Sequence, residues 1–125
     1  MDVWCMNSRQ QEIQQKCIDL SVRFIKLKKY LNETYKEYNI SDQIQRSSSS
    51  IGALYSEAVY AESEIDYIHK LCIAQKEANE TMYWLKVLFQ SDFITKEQYD
   101  SLYDDVNEVM RIITSIILRL KHKQK

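Results

Sequence analysis

The helical character of this chain is clearest in residues 13–31, which read IQQKCIDLSVRFIKLKKYL. Within them, apolar side chains recur at alternating steps of four and three: Ile13, Cys17, Leu20, Phe24, Leu27 and Leu31. This spacing places all six on one face of an α-helix as a heptad seam. It predicts a first helix over about residues 9–36, whose narrow apolar face suits packing against other helices.

A second heptad seam lies in the last third of the chain. Its apolar members are Tyr99, Leu102, Val106, Val109, Ile113, Ile116 and Leu120. Thr95 and Gln98, three residues apart, form a capping-box pattern just before it. The pattern predicts a helix over about residues 95–121.

Two further helices are predicted between these seams, over about residues 41–61 and 64–90. Ser41 is the expected N-cap of the first, and Ser63 with Asp66 resembles a capping box that opens the second. The four serines at 47–50 read either as a linker or as a helix face of small side chains. Ile44 and Ile51 keep helical register on both sides of them, which favours the helix.

Composition supports a chain made of helices alone. Its 125 residues contain one glycine and no proline, the two residues on which tight turns and phosphate-binding loops depend. The length suits a single domain over residues 1–125. Four helices joined by short loops predict an all-α, left-handed, antiparallel up-down-up-down four-helix bundle.

Apolar side chains outside the narrow seams predict self-association. They include Tyr55, Tyr60, Tyr67, Tyr83, Trp84 and the run at 116–118. A second buried surface between copies would cover them, so a homo-oligomer is expected. Tyr67, Tyr83 and Trp84 are the predicted interface residues, because aromatic groups concentrate binding energy; core packing is the competing interpretation for Trp84.

Charge and cysteine content narrow the setting. Seventeen Lys and Arg against 18 Asp and Glu give a net charge of −1, which excludes a strong overall attraction for nucleic acid. Three cysteines, Cys5, Cys17 and Cys72, show no C-x-x-C spacing and favour a reducing cytoplasm. No stretch is apolar enough for a membrane span, and no export signal is visible.

Residues with catalytic chemistry are sparse, so the expected protein is not an enzyme and carries no cofactor. The competing hypothesis is a metal- or thiol-dependent enzyme built on Glu62, Asp66, His69 and Cys72, which recur at helical spacing. Against it, the Glu-x-x-His pairs that a dinuclear metal site in a bundle requires are absent, and no second His-bearing helix completes the site. The expected reading is a solvated polar face for Glu62, Asp66 and His69, and a buried, inert thiol for Cys72.

The local cationic residues are the candidates for contacts with RNA or a partner. Four of them end the chain: Arg119, Lys121, Lys123 and Lys125. Arg46 is the fifth candidate, with a salt bridge or helix cap as the competing interpretation. Tails clustered in an oligomer would bind phosphates in a salt-dependent way, whereas a lone helix end would simply be solvated.

Residues 41–88 resemble the 23S rRNA-intervening sequence protein family of four-helix bundles, encoded within inserts in bacterial large-subunit ribosomal RNA genes. The matching residues are Asp42, Gln43, Arg46, Ser50, Ile51, Glu57, Ser63, Asp66, Leu71, Ile73, Ala74 and the run ETMYWL at 80–85. Residues 115–117 are similar to the family's last helix. A Pro-x-Asn-Ile-Ala-Glu-Gly-like run that often follows Ser-Ile in the family is replaced here by residues 52–58, GALYSEA.

The resemblance implies a pentameric ring and an interaction scaffold linked to ribosomal RNA. A related branch with the same fold is the accessory protein of diversity-generating retroelements, which binds a reverse transcriptase and nucleic acid. That protein is strongly basic, so the net charge of −1 favours the first branch over this alternative.

Overall fold

The computed structural model describes residues 6–123, which form four α-helices and no β-strand. The helices are α1 (Ser8–Tyr35), α2 (Asn39–Val59), α3 (Glu64–Gln90) and α4 (Lys96–Lys123). The prediction of an all-α chain is confirmed. Each predicted helix end lies within two residues of the observed one, and the four-serine run is part of α2 rather than a linker. None of the helices in the described part is long and apolar enough to cross a lipid bilayer.

One hydrophobic core is shared by all four helices. All six residues of the predicted α1 seam are buried, and Phe24 and Leu31 are fully so. The α4 seam is buried from Leu102 to Ile116, while Tyr99 and Leu120 are partly covered at its ends. The two heptad patterns therefore identified the core faces of α1 and α4.

Neighbouring helices in the chain pack against each other, and α1 also contacts α4. Side-chain contacts run in opposite order along the two helix pairs that include α2. In α1 and α2, Gln14 donates a hydrogen bond to Ser56, whereas Lys28 donates to Gln45. In α2 and α3, Ser47 contacts Thr81, whereas Glu57 pairs with Lys70.

Three helices begin with side-chain caps. The Thr95 hydroxyl accepts the Gln98 N–H at 3.1 Å while the Gln98 side chain accepts the Thr95 N–H at 2.8 Å, which is the predicted capping box. The Ser63 hydroxyl accepts the Asp66 N–H at 3.0 Å, as predicted for the start of α3. Asn7 and Gln10 make a reciprocal box before α1 that the sequence analysis did not single out.

The start of α2 corrects the prediction for Ser41. The helix begins at Asn39, and Ser41 lies buried inside its first turn, donating from its hydroxyl to Asn32 and to the Glu37 carbonyl. The cap is instead the Glu37 carboxylate, which accepts the N–H groups of residues 39, 40 and 41 at 3.1, 3.1 and 2.8 Å. A carboxylate at this positive helix end is favourable. Because the Glu37 side chain extends toward the first turn of α2 and caps it, the helix begins two residues before the predicted start at residue 41.

Small side chains bring α2 close to its neighbours. A Cβ atom added to Gly52 would lie 2.8 Å from the Cβ of Cys17 on α1. On the α3 side, the buried hydroxyls of Thr81 and Ser47 are 2.8 Å apart. Ser47, Ser48 and the single glycine therefore serve close helix packing, as the small-residue interpretation expects, whereas Ser49 is exposed.

Some of the apolar side chains counted as surplus belong to the core. Tyr55 is 1% exposed, and Ile116 and Ile117 are also buried. Because α2 is packed between α1 and α3, its buried face is wider than one heptad seam. Tyr60, Tyr83 and Leu118 are exposed, as the surplus argument expects.

Candidate functional site

The basic residues at the end of α4 form the candidate nucleic-acid contact. Arg119, Lys121 and Lys123 are exposed and lie in the last turns of the helix. None of the three forms an ion pair with any residue between 6 and 123. Positive charge here is favourable beside the negative end of the helix dipole. Lys125, the fourth predicted residue, lies outside the described residues.

A groove of about 470 Å³ lies beside these basic residues. Its walls come from the first turn of α1, the start of α3 and the end of α4, and include Tyr67, Ile116, Arg119 and Leu120. Burial raises the pKa of the Tyr67 hydroxyl above its usual value. Arg119 and Tyr67 are thus brought to one end of the molecule, although the sequence analysis placed them in different predicted surfaces.

Arg46, the remaining predicted cation, is paired within the chain. Its guanidinium donates to the carboxylates of Glu77, at 3.4 Å, and of Glu80. The hydrogen bond to Glu80 is the main cause that raises the pKa of Arg46. Of the two interpretations left open by the sequence, the geometry matches the salt bridge between α2 and α3.

Tyr83 and Trp84 lie together beside this ion pair. The rings meet edge to face, with centroids 5.0 Å apart and planes at 72°. Trp84 is half-buried and donates its Nε1–H to Glu80 at 3.1 Å, whereas Tyr83 is 58% exposed. Tyr67 precedes Tyr83 by 16 positions in α3, which is about 24 Å along the helix. It therefore does not share the surface formed by Tyr83 and Trp84.

The residues of the enzyme hypothesis lie just before α3 and in its first half. His69 is exposed, Asp66 and Cys72 are half-buried, and Glu62 precedes the helix. Over residues 6–123, no group of three or more His, Cys, Asp and Glu side chains is arranged to hold a metal ion.

An exposed apolar stripe on α1 was missed by the sequence analysis. Ile18, Val22 and Ile25 are 46%, 45% and 50% exposed and follow the same four-three spacing as the buried seam. Ile18, Val22 and Ile25 directly follow Cys17, Ser21 and Phe24 in the chain. They therefore lie on a different side of the helix from the buried seam. The signal in the sequence is a second set of apolar residues at four-three spacing within residues 13–31, beside the first set.

Cys17 lies next to this stripe but faces the core. It is 1% exposed, and burial raises the pKa of its thiol from 9.0 to about 12. A thiol held in its neutral form is a poor nucleophile. Cys17 is therefore a packing residue.

Comparison with known proteins connects the chain to one family. Residues 9–115 match the family model described as 23S rRNA-intervening sequence protein. The crystal structure of a protein with unknown function from the S23 ribosomal protein family of Bacteroides thetaiotaomicron matches with a TM-score of 0.82 and 46% sequence identity, covering 84% of this chain and 97% of that one. No significant match was found among curated proteins.

Proposed function

The chain belongs to the 23S rRNA-intervening sequence protein family, and on this premise we propose that it is a non-enzymatic, self-associating scaffold that contacts ribosomal RNA in the cytoplasm. The single observation that carries the RNA contact is the group of three exposed cations within five positions at the end of α4, none of which forms an ion pair with any of residues 6–123. Seven of the 16 Lys and Arg side chains among residues 6–123 form ion pairs, as Arg46 does with Glu77 and Glu80. Arg119, Lys121 and Lys123 remain exposed and available to phosphates.

The proposed subunit is a left-handed, antiparallel up-down-up-down bundle. The opposite order of contacts along α1 and α2, and along α2 and α3, supports the antiparallel arrangement. Short connections between consecutive helices favour the same topology.

The proposed assembly is a pentameric ring. Support comes from apolar surface left exposed on the subunit, including Tyr83, which is 58% exposed and packed edge-on against Trp84. The exposed part of Tyr67 is a further proposed contact. A ring brings five basic α4 ends together, which multiplies the otherwise weak attraction of one subunit for RNA.

Light scattering on a size-exclusion column, with absorbance read at 260 and 280 nm, tests the assembly. We expect a peak at five or a multiple of five times the monomer mass of 15.0 kDa. Copurified RNA raises the ratio of the two absorbances. A monomer refutes the self-associating scaffold.

The RNA contact is tested with a fluorescent fragment of 23S ribosomal RNA and the full chain. The double variant Arg119→Glu, Lys123→Glu should weaken binding at least tenfold, and binding to the unchanged protein should fall steeply between about 50 and 200 mM salt. The matched control, Lys76→Glu with Lys86→Glu, makes the same change of charge at exposed sites on α3. Equal loss in both variants, or binding insensitive to salt, contradicts a contact made by the end of α4.

A further inference from the structure

The groove beside the end of α4 has the size and the walls of a small ligand site. Its volume of about 470 Å³ lies within the range of about 300–1,000 Å³ that is usual for such sites. Apolar walls come from Tyr67 on α3 and from Ile116 and Leu120 on α4, and Arg119 adds a positive charge to the lining. A ligand that matches these walls has an apolar part and a negatively charged part.

The aromatic ring of Tyr67 has no aromatic neighbour in the described part of the chain. The ring pairs among residues 6–123 lie elsewhere, as at Tyr83 with Trp84. Tyr67 is half-buried and packs against the core, so its ring is held in place before any ligand arrives. A fixed aromatic ring in a groove stacks well against another flat ring, because little conformational entropy is lost on binding.

Positive charge continues from the groove along one side of α4. Two residues that line the groove, Ile116 and Arg119, are three positions apart, and Lys123 follows Arg119 by four. Positions spaced in this way share one side of a helix, so Lys123 lies about 6 Å beyond Arg119 on the groove side. Both cations are exposed, and neither has an ion-pair partner within residues 6–123. Phosphate groups are the ligands that such a pair of cations attracts.

Negative charge lies on the α3 side of the groove. Among the described residues, Glu64 is the only acidic one in the lining, and it stands in the first turn of α3. An ionised carboxylate repels phosphate, and it can only accept hydrogen bonds. It therefore favours the amino group of a nucleobase on the α3 side, and leaves the phosphate to α4.

We propose that this groove binds one unpaired nucleotide of the RNA, with its base stacked on Tyr67 and directed toward Glu64 and its phosphate at Arg119. This nucleotide site extends the RNA contact proposed above, on which it rests, by selecting single-stranded RNA. In a double helix the bases are already stacked and paired, so a duplex reaches the cations without placing a base in the groove. Stacking uses one face of the Tyr67 side chain, which leaves its remaining exposed surface to the proposed pentamer.

Binding of the full chain to a short fluorescent single-stranded RNA, compared with the same RNA annealed to its complement, tests the site. We expect the single strand to bind about tenfold more tightly than the duplex. Tyr67→Leu should lose this preference because it removes the aromatic face, whereas Tyr67→Phe should retain it. Tyr38→Leu, at a tyrosine that is 54% exposed just before α2, makes the same change far from the groove and should bind as the unchanged protein does.

The outcomes separate the nucleotide site from the RNA contact itself. Suppose that Tyr67→Leu keeps the preference, or that no preference exists, while Arg119→Glu with Lys123→Glu still weakens binding. The RNA contact then stands and the nucleotide site is overturned. If neither form of RNA binds, the proposed function fails and the nucleotide site fails with it.

The fluorescence of 2-aminopurine, placed once in the single strand, reports the stacking directly. Its emission falls when the base stacks, so we expect quenching by the unchanged protein and by Tyr67→Phe but not by Tyr67→Leu. This quenching arises within one subunit and does not depend on how many subunits assemble. Equal quenching by Tyr67→Leu would show that the base does not stack on Tyr67.

A comparison of oligocytidine with oligouridine tests the direction of the base. Cytosine carries an amino donor where uracil carries a carbonyl acceptor, so the unchanged protein should prefer oligocytidine several-fold. Glu64→Gln should remove this preference, because an amide both donates and accepts. Glu62→Gln makes the same change at an exposed carboxylate outside the groove and should keep it. A preference for oligouridine, or one that Glu64→Gln leaves unchanged, would contradict the placement of the base toward α3.

Discussion

Helix α2 and the α1–α4 junction are held together in different ways. Around α2, contact is close: Gly52 lies against Cys17, and the buried hydroxyl of Ser47 meets that of Thr81. At the α1–α4 junction, Lys16 pairs with Glu108 at 2.6 Å and Arg23 with Asp105, all at the surface. Buried side chains thus make these contacts of α2, whereas exposed polar groups bridge the α1–α4 junction.

Two open grooves along the α1–α4 junction reinforce this difference. One of about 520 Å³ passes Arg9, Lys16 and Arg111, and the next, of about 310 Å³, passes Arg23 and Asp105. Ion pairs in contact with water contribute little free energy of folding, whereas filled apolar contacts contribute strongly. The comparison teaches that the two regions rest on different interactions: close packing of buried side chains around α2, and surface ion pairs at the α1–α4 junction.

The largest expected effect is the loss of a core side chain from α2. Ile51 is fully buried, so Ile51→Ala removes apolar contacts and leaves a cavity. We expect the free energy of unfolding to fall by about 2–5 kcal/mol, measured by urea denaturation. Ile65→Ala makes the same change at a side chain that is 76% exposed, and should alter stability by less than about 0.5 kcal/mol. Equal effects would mean that burial around α2 is not the source of stability.

A smaller effect is expected where α2 touches α1. In Gly52→Ala, the new methyl group would lie 2.8 Å from the Cys17 Cβ, so the two helices must move apart. Higher helix propensity offsets part of this cost, and we expect a net loss of about 1–2 kcal/mol in unfolding free energy. Ser49→Ala, at an exposed position of the same helix, is the matched control. A stabilised Gly52→Ala protein would show that the α1–α2 contact is loose.

The buried hydroxyl pair should contribute about 1 kcal/mol. Thr81→Val keeps the shape of the side chain but removes the 2.8 Å hydrogen bond to Ser47, and thermal unfolding should report that loss. Adding Ser47→Ala should cost less than the sum of the single changes, because it removes the hydroxyl left without this bond. Thr34→Val makes the same change at an exposed site. Strictly additive effects would show that the two hydroxyls do not interact.

The smallest effect is expected at the α1–α4 junction. Asp105→Asn removes the ion pair with Arg23, which keeps its hydrogen bonds to Ser101. The unfolding free energy should fall by less than about 1 kcal/mol, and the difference should vanish at about 1 M salt. A loss as large as that of Ile51→Ala would remove the contrast between the two regions.

The sequence was sufficient for the helices and most of the core. In α1 and α4, strict heptad spacing identified the buried faces, and the pairs at Thr95 and Ser63 marked two helix starts correctly. The start of α2 was misplaced because its cap is Glu37, whose carboxylate reaches forward across the turn. Capping preferences describe a short polar side chain at the N-cap residue itself. They do not predict a cap made by a longer side chain that precedes the N-cap.

Surface assignments were harder to predict, because they depend on which helices are neighbours. Arg46 has acidic partners 31 and 34 positions away, at Glu77 and Glu80, which only the α2–α3 contact brings near. Tyr55 was counted as surplus, but packing on two sides of α2 buries it. The stripe at Ile18, Val22 and Ile25 was visible as spacing, yet its exposure followed only from the positions of α2 and α4 around α1.

The α1–α4 junction also bears on the order in which the chain folds. Every other helix contact joins neighbours in sequence, so α1 with α2, α2 with α3 and α3 with α4 can each form as a local hairpin across a short loop. Only the contact between α1 and α4 requires closure of a long loop, which consists of the two helices between them. The conformational entropy of that segment must be lost before the weak surface pairs of the junction can offset it. We therefore expect rapid collapse of the local hairpins and late closure of the junction. The same contact should be the first to open when the native protein fluctuates.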